Sequence, residues 1–302
     1  MTYLPFSPDK RPLGKSGIET SPIAWGMWRF AGDDLAAART RIEAALGAGV
    51  TLFDTADIYG PDNGEPFGAA EALLGRVLAE APALRAQMVL ATKGGIVIGT
   101  PYDSSGDYLT RAIDASLARL GVERVELWQI HRPDILAHPQ ETARALEDAH
   151  AAGKIAAIGV SNFTIAQTET LQHFLTVPIA TTQPEFSPLA LGPIQSGLFD
   201  HALRSGLAVL AWSPLAGGRL AEPQDARGHA VAALLDAKAA AFGVGRGAAA
   251  LSWILAHPAR PIPIVGTQRP ERIAEIPQAL VPRWTRSEWY AVLEASMGEK
   301  LP

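Results

Sequence analysis

The chain has 302 residues, 48% apolar and 19% charged, a balance that supports a sizeable core and excludes a disordered chain. A net charge of −5 without a basic block argues against nucleic acid or an anionic membrane as partner. The absence of cysteine excludes disulfides, thiol catalysis and thiolate metal sites.

Eight short apolar runs read as strands, with helical segments between them. The first run is SPIAWGM (21–27). A helix is expected over 34–48, with Asp33 as N-cap and Gly49 as its stop. VTLFDT (50–55) follows, then a helix over 68–80, MVLATK (88–93), a helix over 108–120 and VELWQI (125–130). The helix over 139–152 opens on Pro139, which suits a first turn. IAAIGVS (155–161), a helix over 164–175, IATTQPE (179–185), a helix over 193–205, LAVLAWS (207–213) and IPIVGT (262–267) complete the series. The long gap before the last run must hold a loop and an extra helix around 216–247.

Nearly continuous apolar runs suit parallel strands buried on both faces. From residue 51 the strand starts step by 37, 37, 30 and about 25 residues, the length of one β–α unit. Eight units predict an α/β fold, a closed (β/α)₈ TIM barrel in a single domain over 1–302. No strand leads into a Gly-x-Gly-x-x-Gly turn, so no Rossmann fold is expected. No apolar run reaches the ~18 residues of a membrane span, and the start MTYLPFSPDKRPLGK does not read as a secretory signal. A cytoplasmic protein is therefore expected; its oligomeric state is left open.

In such a barrel the chemistry sits at the C-terminal ends of the strands. Strand two ends at Asp54, with Tyr59 on the loop beyond; strand three ends at Lys93; His131 follows strand four. A buried lysine beside a tyrosine favours the phenolate, and an aspartate keeps the lysine from being buried alone. The tyrosine could then exchange a proton more readily than a free phenol, while the histidine orients a carbonyl oxygen. Asp57 reads as a loop-shaping residue and Gly60 as backbone freedom for the loop.

The motifs DTADIYG (54–60), ATKGG (91–95), LWQIHRPD (127–134), IGVSNF (158–163), TTQPEFSPL (181–189), AWSPLAGG (211–218) and IPIVGTQRPERI (262–273) together resemble, in order, the aldo-keto reductases. The nearest resemblance is to a bacterial branch of oxidoreductases with poorly defined substrates. It implies reduction of an aldehyde or ketone by NADPH, with Asp54, Tyr59, Lys93 and His131 as catalytic tetrad. It also implies a nicotinamide carboxamide held by Ser161, Asn162 and Gln183, and a ring stacked on Trp212. Gly26, Met27, Trp28 and Asp54 complete that end.

Ser213, Pro214, Leu215, Gly217 and Arg219 would wrap the pyrophosphate, with Gly218 easing backbone approach. Gly266, Thr267, Gln268, Arg269, Arg272 and Glu275 would meet the adenosine end. Two arginines there favour NADP over NAD, although Gly266-Thr267 replaces the family's usual Lys-Ser pair. Trp28, Tyr59, Trp128 and His131 are expected to line the pocket for a small-molecule carbonyl substrate. Arg132 is charged where many relatives are apolar; it either meets an anionic substrate or pairs with Asp134, the second being expected. An NADP-binding regulatory subunit of a membrane assembly is the alternative reading of the same resemblance. A metal site is not expected, because no His-x-His or His-Glu-x-x-His spacing occurs.

Overall fold

The structure is a computed structural model and describes residues 2–302. Eight parallel strands close into a barrel in chain order: β1 (Ala24–Gly26), β2 (Leu52–Asp54), β3 (Val89–Gly94), β4 (Val125–Ile130), β5 (Ile155–Ser161), β6 (Ile179–Gln183), β7 (Ala208–Ala211) and β8 (Ile262–Val265). Closure comes from β8 on β1, with Ile264 opposite Ala24 and Val265 opposite Trp25. Each strand alternates its side chains between two environments, as a period of two requires. Ala24, Leu52, Ala91, Leu127, Ala157, Leu210 and Ile262 fill the barrel interior. Trp25, Phe53, Leu90, Trp128 and Ile158 face outward onto the helices.

The outer layer comprises α1 (Leu35–Gly47), α2 (Ala69–Glu80), α3 (Gly106–Leu120), α4 (Pro139–Ala151), α5 (Ile165–Phe174), α6 (Gly192–Gln195), α7 (Leu198–Ser205), α8 (Ala226–Phe242), α9 (Arg246–Leu255), α10 (Pro270–Ala274) and α11 (Arg286–Met297). The cap of α1 is Asp34, not Asp33: its Oδ1 accepts from Ala37 N at 3.0 Å. The segment expected as one helix over 193–205 divides into α6 and α7, because Gly197 takes a left-handed φ of 74° between them. The excursion before β8 holds two helices, α8 and α9. Among the described residues no helix is long and apolar enough to cross a membrane.

An antiparallel hairpin, Arg11–Pro12 with Glu19–Thr20, precedes β1 and carries the fully buried Leu13 into the interior cluster. The buried Arg11 guanidinium donates to the carbonyls of Arg260 and Pro261, which ties the hairpin to the start of β8. The opposite end, where the strands finish, is left to the polar residues.

Candidate active site

Asp54 closes β2, and Lys93 stands near the end of the adjacent β3. Both follow the inward-facing parity of Leu52 and Ala91. They are 2% and 0% exposed. Lys93 Nζ donates to Asp54 Oδ2 at 2.6 Å and to Thr55 O at 2.7 Å. Asp54 Oδ1 accepts from Gln183 Nε2 at 3.0 Å and Gln129 Nε2 at 3.3 Å. A buried ion pair holds only when its remaining lone pairs are also filled, and here they are.

Tyr59 lies half-buried in the β2–α2 loop, with Lys93 Nζ 5.0 Å from its ring centroid. The His131 ring meets it edge-on, with centroids 5.8 Å apart. The loop can reach this position because of Gly60, where a Cβ would fall 1.9 Å from Pro66 O. Lack of room, not a left-handed backbone, demands glycine there.

Burial raises the Tyr59 phenol above its ordinary range, against the opposing pull of Lys93. This reverses the expectation of a phenol that ionises readily: desolvation outweighs the cation, and Tyr59 keeps its proton at neutral pH. Burial depresses Lys93, but Asp54 and Tyr59 reverse that and leave it raised, so the ammonium stays charged. Burial, then Lys93 and Arg132, hold His131 well below its usual value, so its imidazole is neutral. Its Nδ1 is buried without a partner among the described residues, which leaves Nε2 to face the mouth.

Ser161 ends β5, Gln183 ends β6 and Trp212 follows β7. Asn162, at a left-handed φ of 60°, sits among them. Its Nδ2 donates to His131 O and Ser161 Oγ, and its Oδ1 accepts from Trp212 Nε1 at 3.0 Å. Ser161 Oγ donates to Gln183 O. With both Gln183 N–H groups spent on Asp54 and Gln129, Gln183 Oε1 and a lone pair on Asn162 Oδ1 remain as acceptors. That donor–acceptor balance fits a ligand amide with two N–H groups to give, as a nicotinamide carboxamide has.

The loop beyond β7 turns through left-handed backbone at Ser213, Ala216, Gly217 and Gly218. The two glycines are exposed, and a Cβ on Gly218 would meet nothing within 4 Å, so a ligand could approach the backbone closely. Pro214 is buried and Leu215 half-buried; the exposed Arg219 donates its Nε to Ala216 O. Gly266, Thr267 and Gln268 are half-buried beyond β8, and Gln268 is tied to Gly26 O through Nε2 at 3.1 Å. Its buried Oε1 is unpartnered among the described residues. Arg269, Arg272 and Glu275 are exposed, Arg269 pairing with Glu271 at 2.6 Å. The residue set thus fits a dinucleotide lying from Trp212 across to α10.

Some expected members fall elsewhere. Trp128 is wholly buried in the helix-facing layer, because strand parity turns Leu127 and Gln129 inward and Trp128 outward. Met27 is wholly buried in the same layer, so its side chain offers a ligand nothing. Trp28 lies 42% exposed at the rim, its Nε1 donating to Asp62 Oδ2 at 3.0 Å. Arg132 does not pair with Asp134, whose oxygens accept from the Ser104 and Leu136 backbones, each at 2.9 Å. Sequence reasoning missed Gln129, a buried amide on Asp54. No spacing signal marks it: it is a single amide inside the apolar run VELWQI, and its inward parity shows only in the structure.

The family model described as the aldo/keto reductase family matches residues 22–296. The chain belongs to the aldo-keto reductase family. A 6-dehydroglucose reductase from Novosphingobium aromaticivorans is 59% identical to this aldo-keto reductase over the full length of both. Another from Agrobacterium fabrum is 36% identical over 94% of this chain and 97% of that one. A solved glycerol dehydrogenase from Gluconobacter oxydans superposes with a TM-score of 0.80 at 26% identity, over 97% of this chain and 94% of that one. The reductase is thus an oxidoreductase with the family's barrel.

Proposed function

We propose that this reductase converts the aldehyde of an oxidised sugar, of the 6-dehydroglucose type, to the alcohol, with NADPH as reductant. The observation that carries the reading is the buried Lys93–Asp54 pair set against Tyr59, with His131 edge-on at the same mouth. The sugar-aldehyde class follows the two relatives named 6-dehydroglucose reductases.

Bound NADPH supplies the hydride. Ser161, Asn162 and Gln183 would hold its carboxamide, Trp212 would offer its ring face to the nicotinamide, and the Ser213–Arg219 loop would receive its phosphates. Arg269 and Arg272 take the 2′-phosphate, which favours NADP over NAD; the Arg269–Glu271 pair is exposed and opens at little cost. Tyr59, protonated because desolvation of its phenol outweighs the pull of Lys93, donates its phenolic proton to the carbonyl oxygen as charge develops there. Lys93 stabilises the phenolate left behind, and Asp54 keeps Lys93 charged. Neutral His131 donates an N–H to the same oxygen and fixes its direction.

The test is NADPH consumption with 6-dehydroglucose. Wild type turns over, and Tyr59→Phe loses roughly 10²- to 10⁴-fold in kcat while its affinity for NADPH holds. Full turnover by Tyr59→Phe would remove Tyr59 as donor, and an inert wild type would remove the whole reading.

A further inference from the structure

Arg132 is left without an anionic partner. Many arginines here lack a carboxylate partner, but Arg132 is set apart by its place beside His131 and over Trp212. It makes no carboxylate pair among the described residues, and the nearby Asp134 is spent on two backbone N–H groups. The side chain is half-buried, so water answers its charge only in part. It lies over Trp212, its Cζ 5.9 Å from the ring centroid, and directly follows His131 in the chain. Adjacency to His131 and the approach to Trp212 set it at the C-terminal mouth of the barrel, where its charge acts to lower the pKa of both Tyr59 and His131. A half-desolvated guanidinium in that position is a donor fork waiting for oxygens.

The surroundings select which oxygens. The rim formed by the loop after β1 and by the β2–α2 loop, which also carries Tyr59, bears both signs: Asp62 sits 3.0 Å from Trp28 Nε1 and the Arg29 guanidinium lies over the Trp28 ring at 4.4 Å. Mixed polarity suits hydroxyls, which donate and accept, better than a net anion. Trp28 also offers an exposed flat face to the C–H face of a sugar.

We propose that Arg132 is a specificity residue that binds two vicinal hydroxyl oxygens of a sugar aldehyde while the aldehyde carbon lies between Tyr59 and His131. This rests on the reductase reading above and adds the group that recognises the substrate. Two N–H groups of one guanidinium edge reach neighbouring oxygens in parallel, as they do with carboxylates, whereas lysine offers a single point charge.

The experiment compares wild type, Arg132→Met and Arg132→Lys with three aldehydes: 6-dehydroglucose, unsubstituted benzaldehyde and the anion glyoxylate. NADPH affinity is measured in parallel by fluorescence. The ratio of kcat/KM for the sugar aldehyde over benzaldehyde falls about ten- to a hundredfold in Arg132→Met, mainly through KM, because charged hydrogen bonds to substrate are lost. Arg132→Lys falls in between. An unchanged ratio overturns the proposal, because Arg132 then acts on the site as a whole. A larger loss for glyoxylate than for the sugar also overturns it, in favour of an anionic substrate. A wild type active on benzaldehyde but not on the sugar sinks the substrate class alone; one inert with all three sinks the reductase reading beneath it.

Discussion

Asp54 gives its oxygens to side chains from three other strands: Lys93 on β3, Gln129 on β4 and Gln183 on β6. A carboxylate placed this way knits one end of the barrel together while it charges the lysine. Its removal leaves an ammonium buried at 0% exposure with only the Thr55 carbonyl as partner. Asp54→Asn is therefore expected to lower stability by about 3–5 kcal/mol, the usual cost of orphaning one half of a buried pair. The double variant Asp54→Leu with Lys93→Met, which removes both charges, recovers part of that loss although it is inactive. Guanidinium denaturation followed by tryptophan fluorescence checks both. If Asp54→Asn loses under about 1 kcal/mol, as a surface pair would, the pair is solvated in solution and the tuning argument for Tyr59 fails with it. The meeting of Asp54 with Tyr59, Lys93 and His131 was legible in the sequence because each ends a strand or follows one. Gln129 was not, because a single amide within an apolar run carries no spacing signal. The direction of the Tyr59 shift was not legible either, since it turns on burial and burial depends on how the loop folds back at Gly60.

Among the elements, the eight barrel strands were all foreseen, because each is an apolar run between turn residues. What eluded the sequence is what the barrel does not repeat. The Arg11–Pro12 and Glu19–Thr20 hairpin has two-residue strands, too short for any periodicity. The facing of Trp128 needed the register of a strand whose two faces are both apolar, so composition could not decide it. Helices α9 and α11 hold each other through a tryptophan pair: Trp253 and Trp289 stack at 4.6 Å with an 8° tilt. Each indole N–H donates to the other residue's carbonyl, at 3.1 and 3.0 Å. Phe186, just beyond β6, stacks on the same Trp253, so the pair anchors the C-terminal helix to the barrel. Trp253→Ala empties the middle of this cluster and is expected to cost about 3–5 kcal/mol, the range for a buried aromatic. Thermal denaturation reads the loss. Activity well below the new melting temperature stays close to that of wild type, because no tetrad residue belongs to the cluster. A barrel that melts unchanged while α11 alone comes loose would show that the two helices fold independently of it.

Across the whole molecule, the pH dependence of stability follows from three buried groups whose shifts oppose one another. His131 lies well below the ordinary imidazole value of 6.5, and His257 falls to about 4, in both cases chiefly through burial. Each favours the neutral ring when folded, so each contributes stability present above pH 6.5 and lost as pH falls through its folded value. Asp57 runs the other way. Burial first, then the carboxylate of Glu71, raise it from 3.8 to about 8, against the weaker pull of Arg119 and the Tyr108 hydroxyl. Its contribution is present below pH 3.8 and drains away as pH rises to about 8. Below pH 6.5, while both rings stay neutral in the folded state, two histidines outweigh one aspartate and stability climbs with pH. Above pH 6.5 the unfolded rings lose their protons and Asp57 increasingly acts alone, so stability falls toward pH 8 with a slope below ~1.4 kcal/mol per pH unit. These three shifts predict a stability maximum near pH 6.5, with one carboxyl setting the alkaline limb. Asp57→Asn keeps the shape and removes the titration. Denaturation midpoints at about pH 5, 6.5 and 8 should show wild type falling over the upper interval and the variant level there, with a steeper acid limb in the variant. Parallel descent of the two proteins above pH 6.5 would mean that Asp57 is ionised in the folded state, and that the buried Asp57–Glu71 cluster is held by water or a cation instead of by a proton.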